Sequence, residues 1–274
     1  NLLVLDKYVQ GITNDEIIPA INLSILSNSC NWMCSHGKKQ ILPLPAPNSL
    51  DTLFDISTLT MPVITATLIL KLEENKEISL NDKVKKYLPS FKNDKLTILE
   101  CLTHTGGVDN DIDSSVDLVK EKVLNAVLNI NVNSKLKGKY NFSWVNYFLL
   151  GLIIEALKED IDAYAKDVMY DPLMMKRTFF DPELALKSNC ACSNVVDGIA
   201  ICGETIDIYS MIFNGKAGHA GCFLTLQDIS HFVTTLINKG TFKQNKFFDE
   251  KQLDLIFNEF NETNHSLSWV VGKK

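Results

Sequence analysis

The sequence lacks two features that would assign it to a membrane or to a nucleic acid. Its longest apolar run, residues 147–157, is about half of the roughly 20 residues that a membrane-spanning helix needs. Basic side chains are not in excess, since 27 Lys and Arg face 33 Asp and Glu for a net charge of -6. We therefore expect no membrane-spanning segment in this chain and no nucleic-acid partner.

The sequence also lacks the common local motifs of hydrolases, nucleotide-binding proteins and metalloproteins. The Gly-x-Ser-x-Gly elbow, the His-Glu-x-x-His helix and the P-loop are all absent. The five histidines are widely separated and there is no Cys-x-x-Cys pair, so we predict no metal and no cofactor. Most of the seven cysteines lie in apolar surroundings, and Cys190 and Cys192 are too close for a usual disulfide. This pattern favours buried free thiols.

The pattern of apolar residues predicts a mixed α+β fold. An amphipathic helix is expected over residues 1–15, a strand hairpin follows it, and an apolar helix runs from Pro62 to Glu74. Further helices are expected at 115–130, 143–158, 160–170 and 226–238, and a strand at 266–274. We therefore predict an antiparallel sheet flanked by helices, with an inserted, mostly helical lobe. The expected single unit, 1–274, has an α/β lobe at 1–78 and about 240–274 and a helical lobe at about 79–239.

Residues 54–62, FDISTLTMP, place two adjacent hydroxyls just before the first apolar helix. Positions i and i+3 share a helix face, so the side chain beside Thr58 is that of Met61. A hydroxyl is a weak nucleophile until a base removes its proton, and a thioether has no useful basicity at neutral pH.

This segment resembles the Phe-Asp-(Ile/Leu)-Ala-Ser-x-Thr-Lys-Pro segment of the β-lactamase-related serine hydrolases. That family includes penicillin-binding proteins, D,D-peptidases and class C-like esterases. Six further landmarks follow in the family's order: EISLNDKVKKYLPSF, LTHTGGV, FSWVNYFLLG, MYDPLMMKRTFF, CGETIDIYS and GKAGHAGCFLT. The resemblance implies a β-lactamase/transpeptidase-like fold. It also implies a last wall of strands after residue 274, so we expect the C-terminal strands to be missing from this chain.

Carried over position by position, the resemblance implies that the catalytic groups are substituted. Thr58 occupies the nucleophile position, with Ser57 adjacent, while Met61 replaces the lysine and Phe142 replaces the tyrosine. The resemblance also implies a set of residues that line the ligand cleft: Trp144, Asn146, Asp207, Tyr209, His219 and Gly221.

Three functions remain open at this point. The first is a non-catalytic or very weakly active relative that binds a small peptide, an ester or a cell-wall fragment. The second is a hydrolase with a rewired centre, in which Ser57 or Thr58 attacks and the base is one of Lys71, His104, His219 and Tyr140. The third is a structural or protein-interaction role. The sequence decides neither the oligomeric state nor whether the protein is cytoplasmic or exported.

Overall fold

The computed structural model describes residues 2–15, 17–110, 112–113, 115–260 and 262–272. Its helices are α1 (Leu2–Asn14), α2 (Ala66–Glu74), α3 (Val84–Tyr87), α4 (Ile98–Leu102), α5 (Lys120–Leu128), α6 (Trp144–Lys158), α7 (Ile161–Ala165), α8 (Leu184–Lys187), α9 (Ile208–Ile212), α10 (Leu226–Ile237) and α11 (Glu250–Phe257). Its strands are β1 (Ala20–Ser27), β2 (Cys30–Gln40), β3 (Ala46–Pro47), β4 (Phe54–Asp55), β5 (Phe179–Phe180), β6 (Cys192–Val196), β7 (Ile199–Cys202), β8 (Cys222–Leu224), β9 (Thr241–Phe242) and β10 (Asn245–Lys246). Short 3-10 and π-helical turns link some of these elements.

The N-terminal helix and hairpin predicted from the sequence are confirmed. Strands β1 and β2 pair antiparallel from Ala20 opposite Gly37 to Ser27 opposite Cys30, and β3 joins the other edge of β2. Helix α1 packs on β2, and α10 packs on β1. The first residue of the predicted N-terminal helix, Asn1, lies outside the described residues.

A second small sheet brings the start of the first apolar helix next to a distant loop. Strand β8 lies between β4 and β5, with Phe54 opposite Leu224 and Phe223 opposite Phe179. The backbone N–H of Ile56 donates to the carbonyl of Cys222 at 3.0 Å. The loop of residues 218–221 is therefore held beside the FDISTLTMP segment.

The core is built around α2 and α6. Residues 60–70 are all buried, as expected for a helical segment that is apolar on every side. Helix α6 packs against the turns that precede α2. Gly151 allows α6 to touch the loop before His219, because a Cβ at this position would lie 2.7 Å from the backbone nitrogen of Gly218.

The expectation of buried free thiols is wrong for Cys192 and Cys202. These two residues are directly opposite each other in the β6–β7 hairpin and form a disulfide. The chain reverses at Asp197-Gly198, where both residues have a positive φ, and this dipeptide is a hairpin signal that the prediction from the sequence did not use. The other five are free, and all of these except Cys30 are buried as expected.

The prediction of a strand over residues 266–274 is also wrong for the residues that the structure describes there. His265 and Val270 form an isolated bridge, and the N–H of Ser266 donates to the carbonyl of Trp269 at 3.0 Å. Ser268 has a φ of 62°, so the backbone turns back on itself instead of extending. Residues 273–274 lie outside the described part of the chain.

The segment 79–239 holds helices α3 to α10 together with strands β5 to β8. Its limits as a separate lobe stay a prediction. None of the helices in the described ranges has both the length and the apolar character to cross a bilayer.

Candidate functional site

The nucleophile position lies at an exposed turn in front of α2. Ser57 and Thr58 are both exposed in the 3-10 turn Ser57–Leu59. Ser57 has a φ of 46°, and its N–H donates to Asp55 Oδ1 at 2.7 Å. Burial raises the pKa of Asp55, an effect that the Ser57 N–H partly opposes. Within the described residues, the hydroxyl of Thr58 has no hydrogen-bond partner.

Met61, at the lysine position, begins the π-helical turn Met61–Thr65 that leads into α2. Its side chain is 1% exposed and belongs to the main apolar cluster of the protein. Thr60, directly before it, accepts a hydrogen bond from the Cys222 N–H at 3.4 Å. The position that the resemblance assigns to the lysine is therefore occupied by an uncharged side chain in an apolar environment.

Asn146 and His104 form a buried polar pair between α6 and the end of α4. His104 Nδ1 lies 3.1 Å from Asn146 Nδ2 and accepts the N–H of Ser143 at 3.3 Å. Because these groups are donors, Nδ1 is unprotonated, and Nε2 carries the proton that it donates to Ser268 Oγ at 2.7 Å. Burial, helped by repulsion from His265, lowers the pKa of His104 to about 3. No local pattern in the sequence points to the contact between His104 and Ser268.

One atom of this group is unsatisfied. Asn146 Oδ1 is buried and has no hydrogen-bond partner among the described residues. A buried carbonyl without a donor costs about 1–3 kcal/mol. Helix α6, which carries Asn146, packs against the turn that carries Met61.

Phe142, predicted at the tyrosine position, and Tyr140 both contact the ring of His104. The ring of Phe142 is tilted over His104 at a centroid distance of 5.0 Å, and Phe142 is 43% exposed. Tyr140 stacks on His265 with centroids 3.6 Å apart and meets His104 edge-on at 5.7 Å. Burial raises the pKa of Tyr140, so its phenol is protonated at neutral pH.

Four of the predicted cleft residues do come together. Trp144 stacks on Tyr209 with ring centroids 4.2 Å apart and lies 4.9 Å from the His219 ring. His219 Nε2 is 2.9 Å from Asp207 Oδ1, which also accepts the Ser210 N–H at 2.7 Å. Burial alone would raise the pKa of Asp207, but the hydrogen bonds from His219 and the backbone outweigh burial and lower it.

His219 offers a second unsatisfied atom. Its Nδ1 is buried and has no hydrogen-bond partner in the part of the chain that the structure describes. With the Nε2 proton directed at the Asp207 carboxylate, the neutral ring presents Nδ1 as an acceptor. The rings of Trp144 and Phe148 lie within 5.6 Å of the imidazole, measured between centroids.

Gly221 allows a backbone conformation that a larger residue could not adopt, and it also lines a cavity. It has a φ of 109°, and a Cβ there would lie 2.0 Å from the carbonyl oxygen of Gly215. A cavity of about 460 Å³ beside it is lined by residues that include Glu204, Thr205 and Phe223. The lining of this cavity includes neither Thr58 nor Met61.

Lys71 lies in the last turn of α2, well along the helical stretch that follows Thr58. It is 13 residues beyond Thr58 along a largely helical stretch, which corresponds to roughly 20 Å at about 1.5 Å per residue. Its ammonium pairs with Glu74 at 2.8 Å and also donates to the carbonyl of Phe247. Lys71 is therefore a structural cation.

Comparison with known proteins identifies the family. The family model described as Beta-lactamase matches residues 31–274, and the chain belongs to this family. It is 25% identical to an N-acetylmuramyl-L-alanine amidase of Bacillus subtilis (strain 168), over 79% of this chain and 57% of that protein. It is 26% identical to a putative D-alanyl-D-alanine carboxypeptidase of Salmonella gallinarum (strain 287/91 / NCTC 13346), over 90% of this chain and 66% of that protein. The chain thus spans between 57% and 66% of the length of these relatives.

Solved structures confirm the predicted fold class. An octameric penicillin-binding protein homologue from Pyrococcus abyssi superposes with a TM-score of 0.74 at 20% identity, over 94% of this chain and 60% of that one. FmtA from Staphylococcus aureus superposes with a TM-score of 0.72 at 21% identity, over 92% and 69%. A class C β-lactamase from Rhodobacter sphaeroides gives a TM-score of 0.72 at 17% identity, over 91% and 69%. The fold is β-lactamase/transpeptidase-like.

Proposed function

We propose that this member of the β-lactamase family has lost its acyl-transfer chemistry, or nearly so, and binds a small peptide, ester or cell-wall fragment. The observation that carries this proposal is Met61, an uncharged and 1% exposed side chain at the position of the family's lysine. In the Ser-x-x-Lys arrangement, that lysine helps to remove the proton from the nucleophile. Loss of one member of a catalytic unit lowers the rate by several orders of magnitude.

The unsatisfied carbonyl of Asn146 supports the same proposal. Helix α6, which carries Asn146, packs against the turn that carries Met61, and Asn146 Oδ1 has no donor within the described ranges. A lysine ammonium has three N–H groups and no acceptor, and is the kind of donor that this oxygen lacks. We infer that Asn146 has been kept as a hydrogen-bond acceptor for a lysine ammonium, although this chain carries methionine in place of the lysine.

Two of the other bases considered from the sequence, Lys71 and His104, are engaged elsewhere. Lys71 is ion-paired with Glu74, and His104 Nδ1 already accepts from Ser143 and lies against the amide of Asn146. These contacts leave neither group available to accept a proton from Thr58.

The ligand class follows from the cleft and from the relatives. The stacked Trp144 and Tyr209 present aromatic faces next to the polar Asp207–His219 pair, a surface suited to a ligand with both apolar and hydrogen-bonding groups. The names of two relatives refer to muramyl-alanine and D-alanyl-D-alanine compounds. A cell-wall peptide is therefore the first ligand to test.

The loss of catalysis is tested by covalent trapping. The purified protein is incubated with a fluorescent penicillin or a fluorophosphonate and examined by intact mass, and we expect no adduct. A Thr58→Ser, Met61→Lys, Phe142→Tyr triple variant is the matched comparison and should gain ester hydrolysis. An adduct mapped to Ser57 or Thr58 of the unmodified protein would refute the proposal.

Binding is tested by titration with a muropeptide ending in D-alanyl-D-alanine, followed by calorimetry. We expect saturable binding that Trp144→Ala weakens by tenfold or more. Trp32→Ala, in the N-terminal hairpin, is the control and should bind as the wild type does. No binding by the wild type, together with a stable protein complex in a pull-down, would favour the structural role instead.

A second candidate function, a rewired hydrolase, draws on the Asp207–His219 pair. A carboxylate that orients an imidazole with a free second nitrogen is two thirds of a catalytic triad. This reading requires an adduct at Ser57 or Thr58 that disappears in His219→Gln and survives in His231→Gln. An adduct that persists in His219→Gln would exclude His219 as the base.

A further inference from the structure

A cysteine, a histidine and an aspartate converge between α1 and β2, outside the candidate cleft. Cys34 and His36 are two residues apart on β2, so their side chains point to the same face of the hairpin. Asp6 lies on α1 three residues before the buried Val9, on the helix face that packs against β2.

The ligand atoms of these three residues are already close together. His36 Nε2 and Asp6 Oδ1 are 2.8 Å apart, and the cysteine sulfur, the histidine nitrogen and the carboxylate oxygen all lie within 4.8 Å of one another. Cys34 is 8% exposed, while the side chains of His36 and Asp6 are 17% and 35% exposed. The cluster is therefore enclosed on the sulfur side and open to solvent on the carboxylate side.

We propose that Asp6, Cys34 and His36 form a binding site for one zinc-like divalent transition metal ion. Thiolate, imidazole and carboxylate are the three protein ligand types that Zn²⁺ accepts. A thiolate disfavours Mg²⁺ and Ca²⁺, which prefer oxygen ligands. The fourth tetrahedral position faces solvent and would be filled by water or by a ligand from outside.

The geometry requires only a small rearrangement. Metal–ligand distances of about 2.0–2.3 Å place tetrahedral ligand atoms roughly 3.5 Å apart. The Asp6 and His36 atoms must therefore separate slightly from 2.8 Å, and the Cys34 sulfur must approach them from at most 4.8 Å, so each side chain moves by about 1 Å or less. Two of the ligands come from β2 and the third from α1, and the metal would join the N-terminal helix to the sheet. Any agent that binds only the folded state stabilises it.

Metal binding displaces protons from the Cys34 thiol and from His36 Nε2. Burial, together with the nearby Asp6 carboxylate, raises the pKa of Cys34, so the metal-free thiol is protonated. On binding, the metal–sulfur bond forms as the thiol proton leaves to solvent. The proton between His36 Nε2 and Asp6 Oδ1 leaves that nitrogen through solvent, which frees Nε2 for the metal.

The test is titration with Co²⁺ in a thiol-free buffer, using protein whose Cys192–Cys202 disulfide is confirmed by mass. We expect one equivalent to give a thiolate-to-cobalt absorption band in the near ultraviolet, which Zn²⁺ abolishes and Mg²⁺ does not. The band should disappear in Cys34→Ser. Cys30→Ser, at the start of the same strand, is the matched control and should keep it. His36→Gln and Asp6→Asn should each weaken binding by tenfold or more.

Thermal unfolding provides a second readout that does not depend on the colour. Zn²⁺ should raise the midpoint temperature of unfolding of the wild type and of Cys30→Ser, and should leave the midpoint temperature of His36→Gln unchanged. If Cys34→Ser fails to fold, the partly exposed His36 variant still decides the matter. A band that persists without Cys34, or the absence of a band in the wild type, would overturn the proposal.

Discussion

Replacing Met61 by lysine measures the free-energy cost of placing a charged side chain at this buried position. Met61 is 1% exposed, so the variant places an ammonium in the apolar core. Burial lowers the pKa of such a lysine. Each tenfold loss of proton affinity corresponds to about 1.4 kcal/mol, and a hundred- to thousand-fold loss costs roughly 3–4 kcal/mol at pH 7. This is a large part of the 5–15 kcal/mol that typically stabilises a domain.

The sign of the pH dependence makes this prediction specific. Between the lowered pKa and the ordinary lysine pKa, the unfolded chain binds more protons than the folded chain. The stability of Met61→Lys relative to the wild type should therefore rise with pH, by roughly 1–2 kcal/mol between pH 7 and pH 9. Urea unfolding at both pH values measures this difference.

Two further variants complete the experiment. Met61→Leu conserves volume without adding charge and should cost less than about 1.5 kcal/mol at either pH. If Asn146 Oδ1 accepts from the ammonium, Met61→Lys should cost about 1.5–3 kcal/mol more in an Asn146→Ala background than alone. A cost for Met61→Lys that equals that of Met61→Leu and does not change with pH would refute the reasoning.

Three other predictions concern the scaffold. Gly151→Ala should destabilise the fold by about 1–3 kcal/mol in urea unfolding, because its Cβ would meet backbone at 2.7 Å, whereas Gly11→Ala, with nothing within 4 Å, should stabilise α1 by up to about 1 kcal/mol. Burial raises the pKa of Asp162 to about 6, so the folded state loses stability as pH rises from about 4 to 7. The Asp162→Asn variant should therefore be more stable than the wild type by up to about 3 kcal/mol at pH 7 and equally stable below about pH 4, as measured by thermal unfolding. Alkylation of the denatured protein without reductant should modify five cysteines, leaving Cys192 and Cys202 protected; seven modified residues would contradict the disulfide.

The sequence predicted the individual elements near the site better than it predicted their partners. The hairpin β1–β2 and the helix α6 were confirmed because alternation and helical periodicity are properties of neighbouring residues. Trp144, Tyr209 and His219 were named together only through the order of the family's landmarks, and the structure does bring them into contact. No local pattern of residues predicted that Tyr140 stacks on His265.

The sequence alone determined the fold class, and its resemblance to the family predicts a methionine in place of the lysine base, since both depend on residue identity and order along the chain. Tertiary structure decided which groups meet: His104 with Ser268, 164 residues away, and Asp6 with His36. Such pairings depend on how the chain turns back on itself between the two residues. The residues next to a side chain in the sequence do not determine that path, so its long-range partners can be identified only from the packed structure.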